Sequence, residues 1–508
     1  MNELISLPLL APLWSRLPHL PALLRQWGDA PLGRIAAGFA DNPPGQTGHN
    51  KTSSALLAAA RSVTAPVLGD AAAEALVRRL AACPSILASN YHGVECFPEM
   101  VQAIHFFALG DLVSEPMEAQ GSGPVVPVLS CSSVSLQSQT YPRGLMLSRQ
   151  DAEDAGYVRL PFFPSSQQDV MASRAPALTQ AQLRTMRALW HRKGRPPLLS
   201  WEDLALDAIM DGHVQRPDVL DLPTFGAQVT RVNASLCMER YSQARHVKVI
   251  YLEMEALVAE LLGRDMEDEG SVMHRILFDP QVRALVLDTL AGVRGCWRTE
   301  AINGLALGRT GRAGTIFFWL ADEKGRRCPL RLCQTASGEA GLGFGDACIP
   351  LRPAALRDAL AAGTIVPSLF TSYMSLTLDH GLRCFGGIFL AEYLPAMMRG
   401  VASAMEAAGS PQRVCLPGQC LAALPLTVQF EDGGLRPAGS VELAAAGGLT
   451  RAHLNRIAQL TLTDVLPLSL ATWYRDYVPA GERAPDWESA LKRLASRWNG
   501  VTVKPLSS

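Results

Sequence analysis

The sequence carries no excess of charge of either sign. Its 46 Lys and Arg balance 47 Asp and Glu, and charged residues make up only 18% of the 508. Such a chain offers no broad basic field to a nucleic-acid backbone or an acidic membrane surface, and neither is expected as a partner. No eighteen apolar residues run uninterrupted, so no membrane-spanning helix is expected. The apolar N-terminus has no basic residue before its first apolar run and is broken by Pro8, Pro12, Pro18 and Pro21, which argues against a signal peptide. The eleven cysteines are odd in number, irregularly spaced and without a C-x-x-C pair. That argues against a secreted disulfide framework and leads us to expect eleven reduced thiols and a cytoplasmic protein. The hydrolase signatures G-x-S-x-G and H-E-x-x-H are also missing.

What is present is a large apolar fraction, 48%, in a chain long enough for two or three domains. Residues 1–54 read as short helices, anchored by Trp14 and Trp27, followed by a polar loop. Residues 55–240 and 241–508 read as two α/β domains. Ser85–Ser89 and Val125–Leu129 are short apolar runs suited to buried strands. Between them, Pro98 opens a helix with one apolar face formed by Met100, Val101, Ile104, Phe107 and Ala108. A strand–helix–strand unit of this kind makes parallel sheet. The fold class expected is therefore α/β, with a mixed or mostly parallel sheet covered by helices. Further expectations are a buried strand at 247–252, a β-hairpin at 314–333 turning at Asp322–Gly325, a strand at 369–378 and a helical C-terminal segment over 449–508. Pro395 should interrupt the helix that follows the last strand.

One hexapeptide occurs twice. His92-Gly-Val-Glu-Cys-Phe97 and His380-Gly-Leu-Arg-Cys-Phe385 share four of six residues. Each copy is expected to be a loop at the end of a strand, where open parallel sheets bind ligands. If the two loops meet, within about 15 Å, they bring His92, Glu95, Asp379 and His380 together. Two imidazoles and two carboxylates suit acid–base catalysis. They equally suit a divalent metal such as Fe, Mn or Zn. Asn90, Cys131 and Ser132 are expected to line the same site. Arg143, pinned between Pro142 and Gly144, is expected to bind an anionic group of the substrate. His92-x3-Cys96 and His380-x3-Cys384 offer a weaker His2Cys2 set, and Cys131 with His92 as base offers a covalent route. Gly45–Thr52 departs from a phosphate loop in its Gly-Lys spacing, and the basic glycine run 304–314 precedes a strand where a dinucleotide loop follows one.

These residues point to a soluble enzyme acting on a polar small molecule by metal-assisted or acid–base hydrolysis or group transfer. A non-haem-metal oxidoreductase of a biosynthetic pathway is the second reading. The third is a non-catalytic binding or scaffold protein in which the repeat is a structural turn. On the catalytic readings, His92→Ala should remove activity and leave the fold intact.

Overall fold

A computed structural model describes residues 2–40, 53–114, 124–138, 140–149, 157–191, 197–241, 247–299, 314–411, 426–429 and 435–504. The loops 45–52 and 304–313 and the side chain of Asn90 lie outside them. Four parallel strands organise the chain. They are β1 (Ser85–Tyr91), β2 (Val125–Cys131), β3 (Lys248–Glu253) and β4 (Arg383–Phe385), in the spatial order β4-β1-β2-β3. The fold class is α/β, as expected. The sheet draws β1 and β2 from one expected domain and β3 and β4 from the other, so the boundary placed near residue 240 falls within a single sheet.

The strands read as near-continuous apolar runs because helices cover both faces. Leu87, Val126, Val128, Val249, Tyr251 and Phe385 point to one face and share a core with helix α2 (Pro98–Ser114) and the N-terminal helices. Ile86, Ala88, Leu129, Ile250, Leu252 and Cys384 point to the other. There they pack against α1 (Ser54–Leu68), α4 (Met254–Asp265) and α5 (Ile388–Ala407). A third core beside these includes α3 (Phe225–Arg240). Helix α2 is not the one-faced helix expected. Every residue from Val101 to Gly110 is buried, because Leu32–Ala40 lies on its outer side, where a Cβ on Gly110 would come 2.6 Å from the Ala36 carbonyl.

Several local expectations fail for physical reasons. Leu369–Met374 is a helix, capped by the Ser368 side chain and continued by one wide turn to Asp379; its Thr, Tyr and Phe content reflects complete burial, not extension. Pro395 does not end α5, which runs for 20 residues, since Leu394, Met397, Met398 and Val401 anchor the helix on the sheet on both sides of the proline. The hairpin does form. Phe318–Ala321 pairs antiparallel with Arg327–Pro329, and Asp322 accepts the Lys324 and Arg326 amides in the turn. The C-terminal segment is largely helical, including Pro467–Tyr477 and Trp487–Ala495.

The thiol expectation is corrected at one place. Cys333 and Cys348 form a disulfide. They lie on the two outer strands of a three-stranded antiparallel sheet, and the bond crosses the middle strand over Gly341 and Gly343. A Cβ at Gly341 would stand 2.6 Å from the Cys348 sulfur, so only glycine leaves the passage open. Irregular spacing in sequence concealed this pair because the register of that sheet brings the two together. Seven other described cysteines are free. Peptide mapping without reductant is expected to return one linked peptide joining residues 333 and 348; two separately alkylated peptides would contradict the structure.

Candidate active site

The two copies of the repeat do not meet. Arg383 pairs with Ser85, the first residue of β1, so the second copy enters the sheet at its N-terminal edge. His92 follows Tyr91 and leaves at the carboxyl edge. Seven strand residues at ~3.3 Å each place the two histidines on the order of 20 Å or more apart. The shared-site expectation is thereby overturned, and with it the gathering of His92, Glu95, Asp379 and His380 around one metal. No cluster of three or more His, Cys, Asp or Glu suited to a metal ion occurs among the described residues.

Each motif residue has a structural task. His92 is 0% exposed, with Nδ1 2.7 Å from Ser130 Oγ and Nε2 3.0 Å from the Gly226 carbonyl oxygen. Gly93 is needed because a Cβ would stand 2.5 Å from Cα of Pro142. The Asn233 amide holds the turn from both sides: Oδ1 accepts the Glu95 N–H and Nδ2 donates to the Gly93 carbonyl, each at 2.9 Å. The Glu95 carboxyl is buried beside Tyr251, whose hydroxyl donates to it at 3.3 Å. Arg240 turns its guanidinium to the Glu95 backbone carbonyl and the Ser440 hydroxyl instead of the carboxyl. Burial pushes the Glu95 carboxyl up to about 8 and the Cys96 thiol to about 12. At the opposite edge, His380 stands between Ser53 Oγ (2.6 Å from Nδ1) and Asp265 (3.0 Å from Nε2). Ser53 Oγ also accepts the Leu56 amide as the cap of α1, so this chain ties α1 to α4. Asp379 accepts the Val272 and Met273 amides and the Ser271 hydroxyl.

The remaining expected site residues divide. Ser132 is buried and donates its hydroxyl and amide to Glu255; its hydroxyl also reaches Glu253. Arg143 donates to the Phe163 carbonyl and the Gln137 side chain, which occupies it structurally. Asn90 contributes backbone to β1, in register with Ser130. Cys131 does face a cavity, but its thiol donates to Glu255 at 3.2 Å, and burial, reinforced by that carboxylate, holds it well above the ordinary thiol range. A thiol so held is a poor nucleophile.

That cavity is the site the geometry provides. It measures about 550 Å³ and lies beyond the carboxyl ends of β4, β1 and β2. There the chain leaves β1 into α2 on one face and leaves β4 into α5 on the other, which opens a crevice between neighbouring strands. Phe97, Glu99 and Met100 from the start of α2 form one side, and Gly387, Ile388, Phe389 and Leu390 from the start of α5 form the other. Tyr91 and Cys131 form the floor; Trp319 and Arg327 come from the hairpin, and Trp473, Asp476 and Tyr477 from the C-terminal segment. Arg294 lies over the Phe389 ring, 4.4 Å from its centre, and within 3.5 Å of Glu392. Neither a protein-family model, nor a curated protein, nor a solved structure matches the chain.

Glu99 is the titrating group of this crevice. Pro98 sets it in the first turn of α2. Burial pushes its carboxyl up to about 7, with Asp476 adding to the rise and the Tyr157 hydroxyl, hydrogen-bonded to it, opposing. Its Oε2 is buried and finds no hydrogen-bond partner among the described residues. Neither Glu99 nor Arg327 belongs to the repeat that drew attention in the sequence. Signals for both were present: Pro-Glu at a helix start marks an acidic first turn, and the hairpin pairing puts Trp319 and Arg327 on one face.

Burial also raises Asp379 to about 6 and Glu442 to about 7. With Glu95 and Glu99, that makes four carboxyls whose folded values exceed their unfolded ones. The unfolded chain loses these protons near pH 4–4.5 and the folded chain holds them longer, so stability from these groups is fully present below about pH 4 and is lost as pH rises through about 6 to 8. The melting temperature is expected to fall between pH 5.5 and 8.5, by an amount corresponding to on the order of 1 kcal/mol per pH unit for each carboxyl that the folded chain still holds protonated. A flat or rising profile over that window would show that these carboxyls are not held neutral.

Proposed function

We propose that this protein is an enzyme that binds a small molecule in the crevice at the carboxyl ends of β4, β1 and β2 and moves a proton through Glu99 in a hydrolysis or group-transfer reaction. The observation that carries the reading is the Glu99 carboxyl, poised at about 7 in the wall of a 550 Å³ cavity. A carboxyl with that affinity is half protonated at neutral pH, so it can take a proton from one reacting atom and return it to another. The cavity falls within the ~300–1,000 Å³ usual for small-molecule sites. Its mostly aromatic and aliphatic lining shields the carboxyl from water and sustains the raised proton affinity. Metal-assisted catalysis and the non-haem oxidoreductase reading both relied on a His–carboxylate set that this fold disperses to opposite edges of the sheet.

A binding protein would present the same crevice without needing Glu99 to titrate. Turnover of a panel of small esters, amides and phosphoesters by wild type and by Glu99→Gln separates the two. The enzyme reading requires activity in the wild type with a limb near pH 7, lost in the variant while ligand binding persists. Ligand binding unaccompanied by turnover in either protein would leave the binding role standing in its place.

A further inference from the structure

We infer that the crevice takes a ligand with an apolar body and a single anionic group, and that Arg327 receives the anion. This rests on the crevice being the ligand site. Arg327 stands on the strand Arg327–Pro329, with its guanidinium 4.8 Å from the centre of the Trp319 ring across the hairpin. Trp319 pairs with Pro329, two residues beyond Arg327 and on the same face, so the pairing of the strands fixes the cation over the ring.

What distinguishes Arg327 is the lack of an acid. Among the described residues it has no carboxylate and no hydrogen-bond acceptor, whereas Arg294, the other arginine of the cavity, lies beside Glu392. The ionisable groups that Arg327 senses are Tyr91 and Cys131, both neutral at physiological pH because burial raises them. Arg327 is exposed and lines the cavity, so a ligand there can reach its guanidinium. A guanidinium held over an aromatic ring at the cavity wall, with no carboxylate beside it, is available to an anionic ligand. The planar fork fits a carboxylate, phosphate or sulfonate through two parallel hydrogen bonds. Leu129, Met254, Leu369, Ile388, Phe389 and Leu390 then line space for the apolar part.

The test uses two fluorescent probes of one shape, 1-anilinonaphthalene-8-sulfonate and its neutral parent N-phenyl-1-naphthylamine, titrated into the full-length protein. The wild type is expected to bind the sulfonate about 10–100-fold more tightly, the usual worth of a charge-assisted pair. Arg327→Gln should abolish that preference and leave the neutral probe's affinity within about threefold, which also shows that the cavity is intact; Arg327→Lys should restore part of it. Equal binding of the two probes by the wild type would overturn the anion assignment and leave the crevice as a site. A preference that survives Arg327→Gln would overturn the role of Arg327. Binding of neither probe would remove the crevice reading beneath both.

Discussion

Glu99→Gln is expected to lower turnover by about 10²–10⁴-fold, the usual contribution of a positioned general acid or base. Glutamine keeps the shape of the side chain and can still accept from Tyr157, so ligand affinity should change little. What it cannot do is exchange a proton. Stability should hold or rise, most of all above pH 7, where the wild type must ionise a carboxyl that its surroundings desolvate. The pH profile is the sharper measurement. In the wild type, kcat/KM should show a limb with its midpoint near 7. Activity rising through that limb identifies a base and activity falling identifies an acid. Tyr157→Phe removes a hydrogen bond that lowers the carboxyl's proton affinity, so it should move the midpoint upward. If Glu99→Gln keeps turnover within threefold of wild type, Glu99 is not the proton carrier.

Asn233→Ala is expected to be among the most destabilising single changes in the chain, at about 3–5 kcal/mol. One amide, 0% exposed, satisfies the Glu95 N–H and the Gly93 carbonyl together. Its loss strands two buried backbone groups at about 1–3 kcal/mol each and leaves a void beside them. His92→Ala should cost less, about 1–3 kcal/mol, because each imidazole nitrogen has a single hydrogen-bond partner, with the Glu253 carboxylate farther off at 3.8 Å from Nε2. Neither residue lines the crevice, so both variants should retain turnover per folded molecule. This reverses the sequence-based expectation that His92 carries the chemistry. Urea unfolding of the two variants checks the ranking. A cost below about 1 kcal/mol for Asn233→Ala would show that the first hexapeptide is not held in the way described.

The strand–helix–strand unit from Ser85 to Cys131 was legible because its apolar runs are continuous and Pro98 marks the helix start. The hairpin was legible from its turn residues. The fourth strand was hidden: only Arg383–Phe385 pairs, inside a motif whose His, Arg and Cys suggested a loop. The repeat misled in an instructive way. Its Cys and Phe recur because both copies bury them, the first in the third core, where Phe97 lies 5.6 Å from the Tyr157 ring, and the second in the central sheet, where Phe385 packs on Phe107 with ring centres 6.0 Å apart. Its histidines recur too, yet one ends a strand and the other precedes one. Rare polar residues drew attention as candidate chemistry, whereas buried polar groups more often hold backbone in place. Glu99 and Arg327 escape such a reading because nothing in a linear pattern tells which charges will face a cavity after folding.

The pairing of β1 with β4 joins residues about 300 positions apart, and the walls of the crevice extend from Ala88 to Tyr477. During synthesis the first two strands and α2 therefore emerge long before the strand that completes the sheet beside them. Until then, the apolar edge of β1 waits uncovered, a state that slows folding and invites association with other chains. Proteolysis between α5 and Pro467–Tyr477 would sever one wall of the crevice from the others without cutting the four-stranded sheet. The ligand site is thus assembled only after nearly the whole chain has been made, and a cut outside the four-stranded sheet can open it.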